Sequence, residues 1–140
     1  MLDRLEPKKI IVVSSAPQIR YPDCYGIDMA KLEEFIAFRA ALKLHEDRGT
    51  KEKIVKDVYQ NCLNAIEKAI ESPVNYVKEI YKPFSDEEIS YKISEILKTN
   101  DINAEIEVIF QTISGLKKAC PKNHGDWYFS GDYPTPVSYT

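Results

Sequence analysis

Residues 10–13, Ile-Ile-Val-Val, place four β-branched side chains in a row. The segment that follows, SSAPQIRYPDCYGIDM at 14–29, can continue neither a central strand nor a helix. The β-branched run favours a pleated strand. Its near-continuous apolarity suits burial on both faces, as in the parallel sheet of an α/β fold. Pro17 and Pro22 then fix φ and remove backbone donors, which excludes a helix or an inner strand across the connector. Gly26 permits a turn that a side chain would hinder. The chain is thus predicted to leave a sheet at Ser14 and to re-enter regular structure after Asp28, a good helix N-cap.

Helical spacing takes over from there. Leu32, Phe35, Ile36 and Leu42, with Ala37, Ala40 and Ala41, form an apolar stripe that predicts a helix over roughly 29–46, ended by Gly49. Thr50 is placed to cap a second helix to about Glu71, with Ile54, Val55, Val58, Tyr59, Leu63, Ile66 and Ile70 along one side. Ser72-Pro73 predicts a short helix running to Tyr81, stopped by Lys82-Pro83. Ser85 with Glu88 is a capping-box pattern, and Ile89, Ile93, Ile96 and Leu97 carry that helix to about Thr99. Residues 104–110 alternate Glu105 and Glu107 against Ile106, Val108 and Phe110, the period of a strand with one wet face. A short amphipathic helix is expected over 112–120, ended by Pro121. The tail from Lys122 reads as coil rich in aromatic residues, and no internal repeat or low-complexity segment is present.

Composition narrows the function classes. A chain of 140 residues can bury a real core, and a formal charge of −3 with interleaved signs argues against nucleic acid as a partner. No run is long and apolar enough to cross a bilayer, and MLDRLEPKK lacks a signal-peptide core, so a cytoplasmic location is expected. The three cysteines, Cys24, Cys62 and Cys120, are dispersed and form no metal-type pair, so they read as buried or incidental thiols.

Self-contained chemistry is not evident in the residues. There is no nucleophile elbow, zinc-protease motif or phosphate loop. Asp47-Arg48-Gly49-Thr50 follows a polar helix end, which reads as one helix stop and the next helix start rather than a phosphate cradle. His45 and His124 lie in polar surroundings and are expected at the surface. Asp86, Glu87 and Glu88 fall in a first helical turn, where they favour the helix dipole. Tyr21, Tyr25, Trp127, Tyr128, Phe129 and Tyr133 read as packing groups.

Two stretches nevertheless resemble one family. SSAPQIRYPDCYGIDM, followed by Leu32-Glu33-Glu34, is similar to the late part of amidophosphoribosyltransferases. YFSGDYPT at 128–135 resembles their signature near the C-terminus, and the two occur in the family's order. Residues 85–120 resemble the helix, strand and short helix between those signatures, whereas about 43–83 look like extra helices. The resemblance implies a fold: α/β, the edge of a parallel phosphoribosyltransferase-type sheet followed by a mainly helical C-terminal region. It divides the chain into the last core strand and connector (1–29), a helical region with an insertion (30–84), and a helix-strand-helix with a tail (85–140).

The resemblance also implies an activity and its limits. Such enzymes hydrolyse glutamine with an N-terminal cysteine. They join the ammonia to phosphoribosyl pyrophosphate (PRPP) with Mg2+, making 5-phosphoribosylamine for purine synthesis. In the family the glutaminase domain and the PRPP loop precede the region matched here, so this chain is expected to be a C-terminal fragment, or a stand-alone relative of one, inactive alone. It therefore carries no catalytic residue and no metal ligand by this reading. Ser14, Ser15 and Tyr25 are expected on the substrate-side rim, because ligands of open parallel sheets sit beyond the strands' carboxyl ends. Termination of a strand by local hydroxyl bonds is the competing reading of the two serines. Some relatives hold an iron–sulfur cluster, but Asp23, Gly125 and Tyr128 stand at three of its cysteine positions, so no cluster is expected. The implied partners are the rest of the enzyme chain or its subunits, with a homo-oligomer, no nucleic acid and no membrane. The alternative is a helical protein-interaction module derived from that fold.

Overall fold

A computed structural model describes residues 2–22, 29, 31–67, 74–122 and 125–133. Strand β1 is Lys9–Ser14, and β2, Glu105–Phe110, lies parallel to it with Lys9 opposite Glu105 and Ser14 opposite Phe110. Parallel neighbours need a crossover between them. Here the crossover is helical: α1 (Ile36–Asp47), α2 (Lys51–Glu67), α3 (Lys78–Tyr81) and α4 (Asp86–Leu97). After β2 come α5 (Ile113–Ala119) and a single turn, α6 (Trp127–Ser130). The described residues are therefore mixed α/β with one two-stranded parallel sheet.

The core lies between α4, α1 and the sheet. Ile89 and Ile93 of α4 are essentially inaccessible, and they meet the small face Ala37, Ala40 and Ala41 of α1. Three alanines let the two helices approach closely. Val108 carries the strand side of that core. The predicted capping box is present: Ser85 Oγ accepts from Glu88 N–H at 3.1 Å, and Glu88 Oε2 accepts from Ser85 N–H at 2.9 Å. Gly49 closes α1 at φ +65°, a left-handed turn that glycine adopts without steric cost. The carboxylate of Asp3 accepts from the N–H groups of Asn103 and Ala104, fastening the chain start beside β2.

Several expectations are corrected. The strand at 10–13 forms, but it is not buried on both faces: Ile11 is 53% and Val13 70% exposed. With β2 on one side only, its other edge pairs with no strand among the described residues. The first helix starts at Ile36, after a short 3-10 turn at Leu32–Glu34, because Phe35 is extended at φ −73°, ψ 124°. Asp28 lies outside the described residues, as do Ser72 and Pro73. Residues 74–77 precede the third helix as a turn in which Asn75 Oδ1 accepts from Val77 N–H, so that helix opens at Lys78. The aromatic tail contains the helical turn α6 rather than coil alone.

His45 is also corrected from surface to interior. It is 3% exposed, with Nε2 donating to the Ile80 carbonyl at 2.9 Å and Nδ1 2.8 Å from Thr50 Oγ1. Its ring stands edge-on to Phe84 at 4.7 Å. The neighbours that bury it come from residues 80–84, which the local sequence around His45 does not reveal.

Candidate functional site

Two regions follow from the sequence: the carboxyl end of the strands, and the joint between the two family-like stretches. At the strand ends, Ser14 lies opposite Phe110, and its carbonyl accepts from Gln111 N–H at 3.2 Å. The Ser14 hydroxyl donates to Ala16 O at 3.0 Å and accepts from Ala16 N–H at 3.2 Å, so both of its polar roles are taken up within two residues. Ser15 is exposed beside it. Tyr25 lies outside the described residues. Gln111 and Thr112 share this rim and were not singled out by sequence: Gln111 Oε1 accepts from Thr112 N–H at 2.8 Å, and Thr112 Oγ1 caps α5 by accepting from Gly115 N–H at 3.0 Å. The Thr-x-x-Gly spacing was the available signal.

The joint is more elaborate. The backbone of Arg20 and Tyr21 donates twice to the carbonyl of Tyr128, at 2.9 and 3.1 Å. Tyr133 Oη donates to Pro22 O at 2.8 Å. Gly131 sits at φ +71°, where a β-carbon would lie 2.9 Å from Tyr21 Cζ and 2.7 Å from Asn75 Nδ2. Only glycine satisfies both the conformation and the space. Residues 17–22 and 127–133, separated by about a hundred positions, thus close on each other. This joint gives Tyr21 and Tyr133 the packing role expected of them.

Arg20 and Gln18 tie this joint to α4. Gln18, 4% exposed, donates through Nε2 to Asp86 O and Ser90 Oγ, both at 2.8 Å. Its Oε1 accepts from Arg20 Nε at 3.1 Å and Nη2 at 2.6 Å. Arg20 also pairs with the Asp86 carboxylate and lies over the Tyr81 ring at 5.3 Å. Tyr81 Oη donates to Arg20 O at 2.9 Å, and the Tyr21 and Tyr81 rings meet edge-on at 5.5 Å. Burial pushes the Tyr21 phenol up to about 12, partly offset by the Arg20 charge. Burial raises Tyr81 further, with Tyr21 adding to it. Both phenols stay protonated, and that of Tyr81 is the donor to the Arg20 carbonyl.

Beside this network runs a cleft of about 530 Å³, bordered by Gln18, Arg20, Ser90, Tyr91, Phe110 and Phe129. The Gln18 amide is engaged inside the protein, and the cleft is also lined by Asp86, Glu87 and the Lys9 ammonium, which is paired with Glu105 and Glu107. Cys62 is half-buried and its thiol is raised by burial, which disfavours the thiolate, while Cys120 is exposed. Among the described residues there is no group of three or more His, Cys, Asp or Glu side chains that could hold a metal ion. Also among them, no helix is long and apolar enough to cross a membrane. Cys24 and His124 lie outside the described residues.

A curated amidophosphoribosyltransferase of Haemophilus influenzae is 58% identical to this chain over 31 residues, which are 22% of the chain and 6% of that protein. The match spans a small fraction of the relative's length. No family model matches the chain, and no solved structure matches it.

Proposed function

We propose that this chain is the C-terminal portion of an amidophosphoribosyltransferase, cytoplasmic and without activity by itself. The observation that carries the reading is the 31-residue stretch at 58% identity to such an enzyme. Two features of the chain agree with it. Its first strand exposes Ile11 and Val13 and has an edge with no strand partner among the described residues, as expected of a strand from a larger parallel sheet. Its rim at Ser14, Ser15, Gln111 and Thr112 stands at the strands' carboxyl ends, where ligands of such sheets bind. On this reading the chain completes the fold of a phosphoribosyltransferase domain and supports its rim. The glutamine nucleophile and the groups that hold PRPP and Mg2+ belong to the rest of the enzyme, and no iron–sulfur cluster is held here.

The test is reconstitution. The Haemophilus enzyme, truncated before its matching segment, is co-expressed with this chain, and 5-phosphoribosylamine formation is assayed with PRPP, Mg2+ and either glutamine or ammonia. Activity is expected only with both parts present. Product formation by the pure chain alone would sink the fragment reading. A second reading, a helical interaction module, is favoured by the exposed apolar residues of α2.

A further inference from the structure

Helix α2 has more apolar surface than the core uses. Ile54, Val58 and Cys62 face the core. Next to that stripe, Val55, Tyr59, Leu63 and Ile66 repeat at helical spacing, and Val55, Tyr59 and Ile66 are 42%, 63% and 69% exposed. At the N-terminal end of the exposed stripe lies an open hollow of about 800 Å³, with Val55 and Tyr59 as its apolar lining and Glu46, Lys51, Glu52 and Lys56 around them. At the other end Ile66 projects. The helix therefore carries a recess near one end and a knob near the other.

The charges along its outer flank have the same polarity. Lys56 borders the recess together with Glu52, Lys53 lies three residues before Lys56, and Glu67 directly follows the knob in sequence. Among the described residues none of the three forms an ion pair, whereas Lys51 nearby is paired with Glu46. Two copies of such a helix laid parallel would set Lys53 and Lys56 against themselves, which is repulsive. Laid antiparallel about a two-fold axis, with Val55 opposite Ile66 of the second copy, each knob meets a recess. The 1.5 Å rise per residue then brings Glu67 of one copy to within about 1.5 and 3 Å, along the axis, of the levels of Lys53 and Lys56 of the other.

We propose that α2 is a self-complementary interface through which two copies of this chain form an isologous dimer, with Ile66 of each seated in the recess at Val55 and Tyr59 of the other. A two-fold contact requires one surface to complement itself, and α2 does so in shape and in charge. Helix α2 belongs to the region that looks like an addition to the transferase family, so the dimer goes beyond the transferase reading and does not rest on it.

Sedimentation equilibrium on the full 140-residue chain tests the proposal. A reversible dimer is expected. Ile66→Glu should raise its Kd by about 100-fold, the scale of a central anchor. Lys56→Glu and Glu67→Lys should each raise it by about threefold to tenfold, and the double variant should return to within about threefold of wild type, as a paired rim charge does. Circular dichroism melts identify any variant that fails to fold, and the charge-swap rescue stands independently of Ile66→Glu. A chain that remains monomeric at about 0.1 mM overturns the proposal. So does a dimer indifferent to Ile66→Glu, or a double variant weaker than either single one.

Discussion

Ser94 Oγ accepts a hydrogen bond from the backbone N–H of Val108 at 3.0 Å and donates its own proton to Ser90 O at 3.0 Å. In this register the even-numbered residues of β2 direct their backbone groups away from β1. A helix side chain thus stands where another strand's carbonyl would otherwise pair, and α4 closes the middle of that edge.

Ser94→Ala removes the acceptor and leaves a buried N–H without a partner. The expected loss is about 1–3 kcal/mol in urea unfolding. A loss below about 0.5 kcal/mol would mean that water replaces the hydroxyl and that the edge is not sealed.

Gly131 and Gly49 both have positive φ, at +71° and +65°, but differ in surroundings. A β-carbon at Gly49 meets nothing within 4 Å, so Gly49→Ala should cost only the left-handed strain of about 1–2 kcal/mol. Gly131→Ala adds a collision with Tyr21 and Asn75 and should be the more destabilising by at least about 1 kcal/mol. Paired thermal and urea melts decide it, and equal losses would contradict the close approach.

The two raised phenols predict an alkaline limit. A tyrosine whose folded pKa lies above its unfolded value stabilises the protein fully below the unfolded pKa, and that contribution is lost as pH rises through the folded one. For Tyr21 this places the loss between its usual 10 and about 12. Stability measured against pH should fall across that window. The tyrosinate absorbance absent from Tyr21→Phe and Tyr81→Phe should appear together with loss of the helical signal. Tyrosinate from these two residues in a still-folded protein would contradict their burial.

Thiol labelling should separate the two described cysteines. Cys120 is exposed, while burial raises the Cys62 thiol. Brief alkylation followed by peptide mass spectrometry should find Cys120 modified well before Cys62 in the native protein, with the difference lost in urea. Equal native rates would show that α2 opens readily at its centre.

The most legible parts of the fold were those governed by near neighbours in the chain. The Ser85–Glu88 capping box, the alternation of 105–110 and the left-handed Gly49 each depend on a few adjacent residues, and each formed as read. The burial of His45 is not legible locally, because its partners Ile80 and Phe84 arrive from more than thirty positions away. The start of α1 is hidden in the sequence because an extended Phe35 interrupts a helical pattern that otherwise begins earlier. Of the expected rim, Ser14 and Ser15 could be placed at a strand end from the prolines that follow. Gln111 and Thr112 join them only through the parallel pairing of β1 with β2, which no local pattern specifies.

The two edges of the sheet differ, and the difference limits how the protein can associate through its backbone. One is stopped at its centre by Ser94, while the other presents the outward backbone of Lys9, Ile11 and Val13. A strand adding at β1 meets an open row of backbone groups among the described residues, whereas one adding at β2 must displace the Ser94 hydroxyl from Val108 N–H. Backbone pairing with a further strand is therefore directed to the β1 side of the sheet.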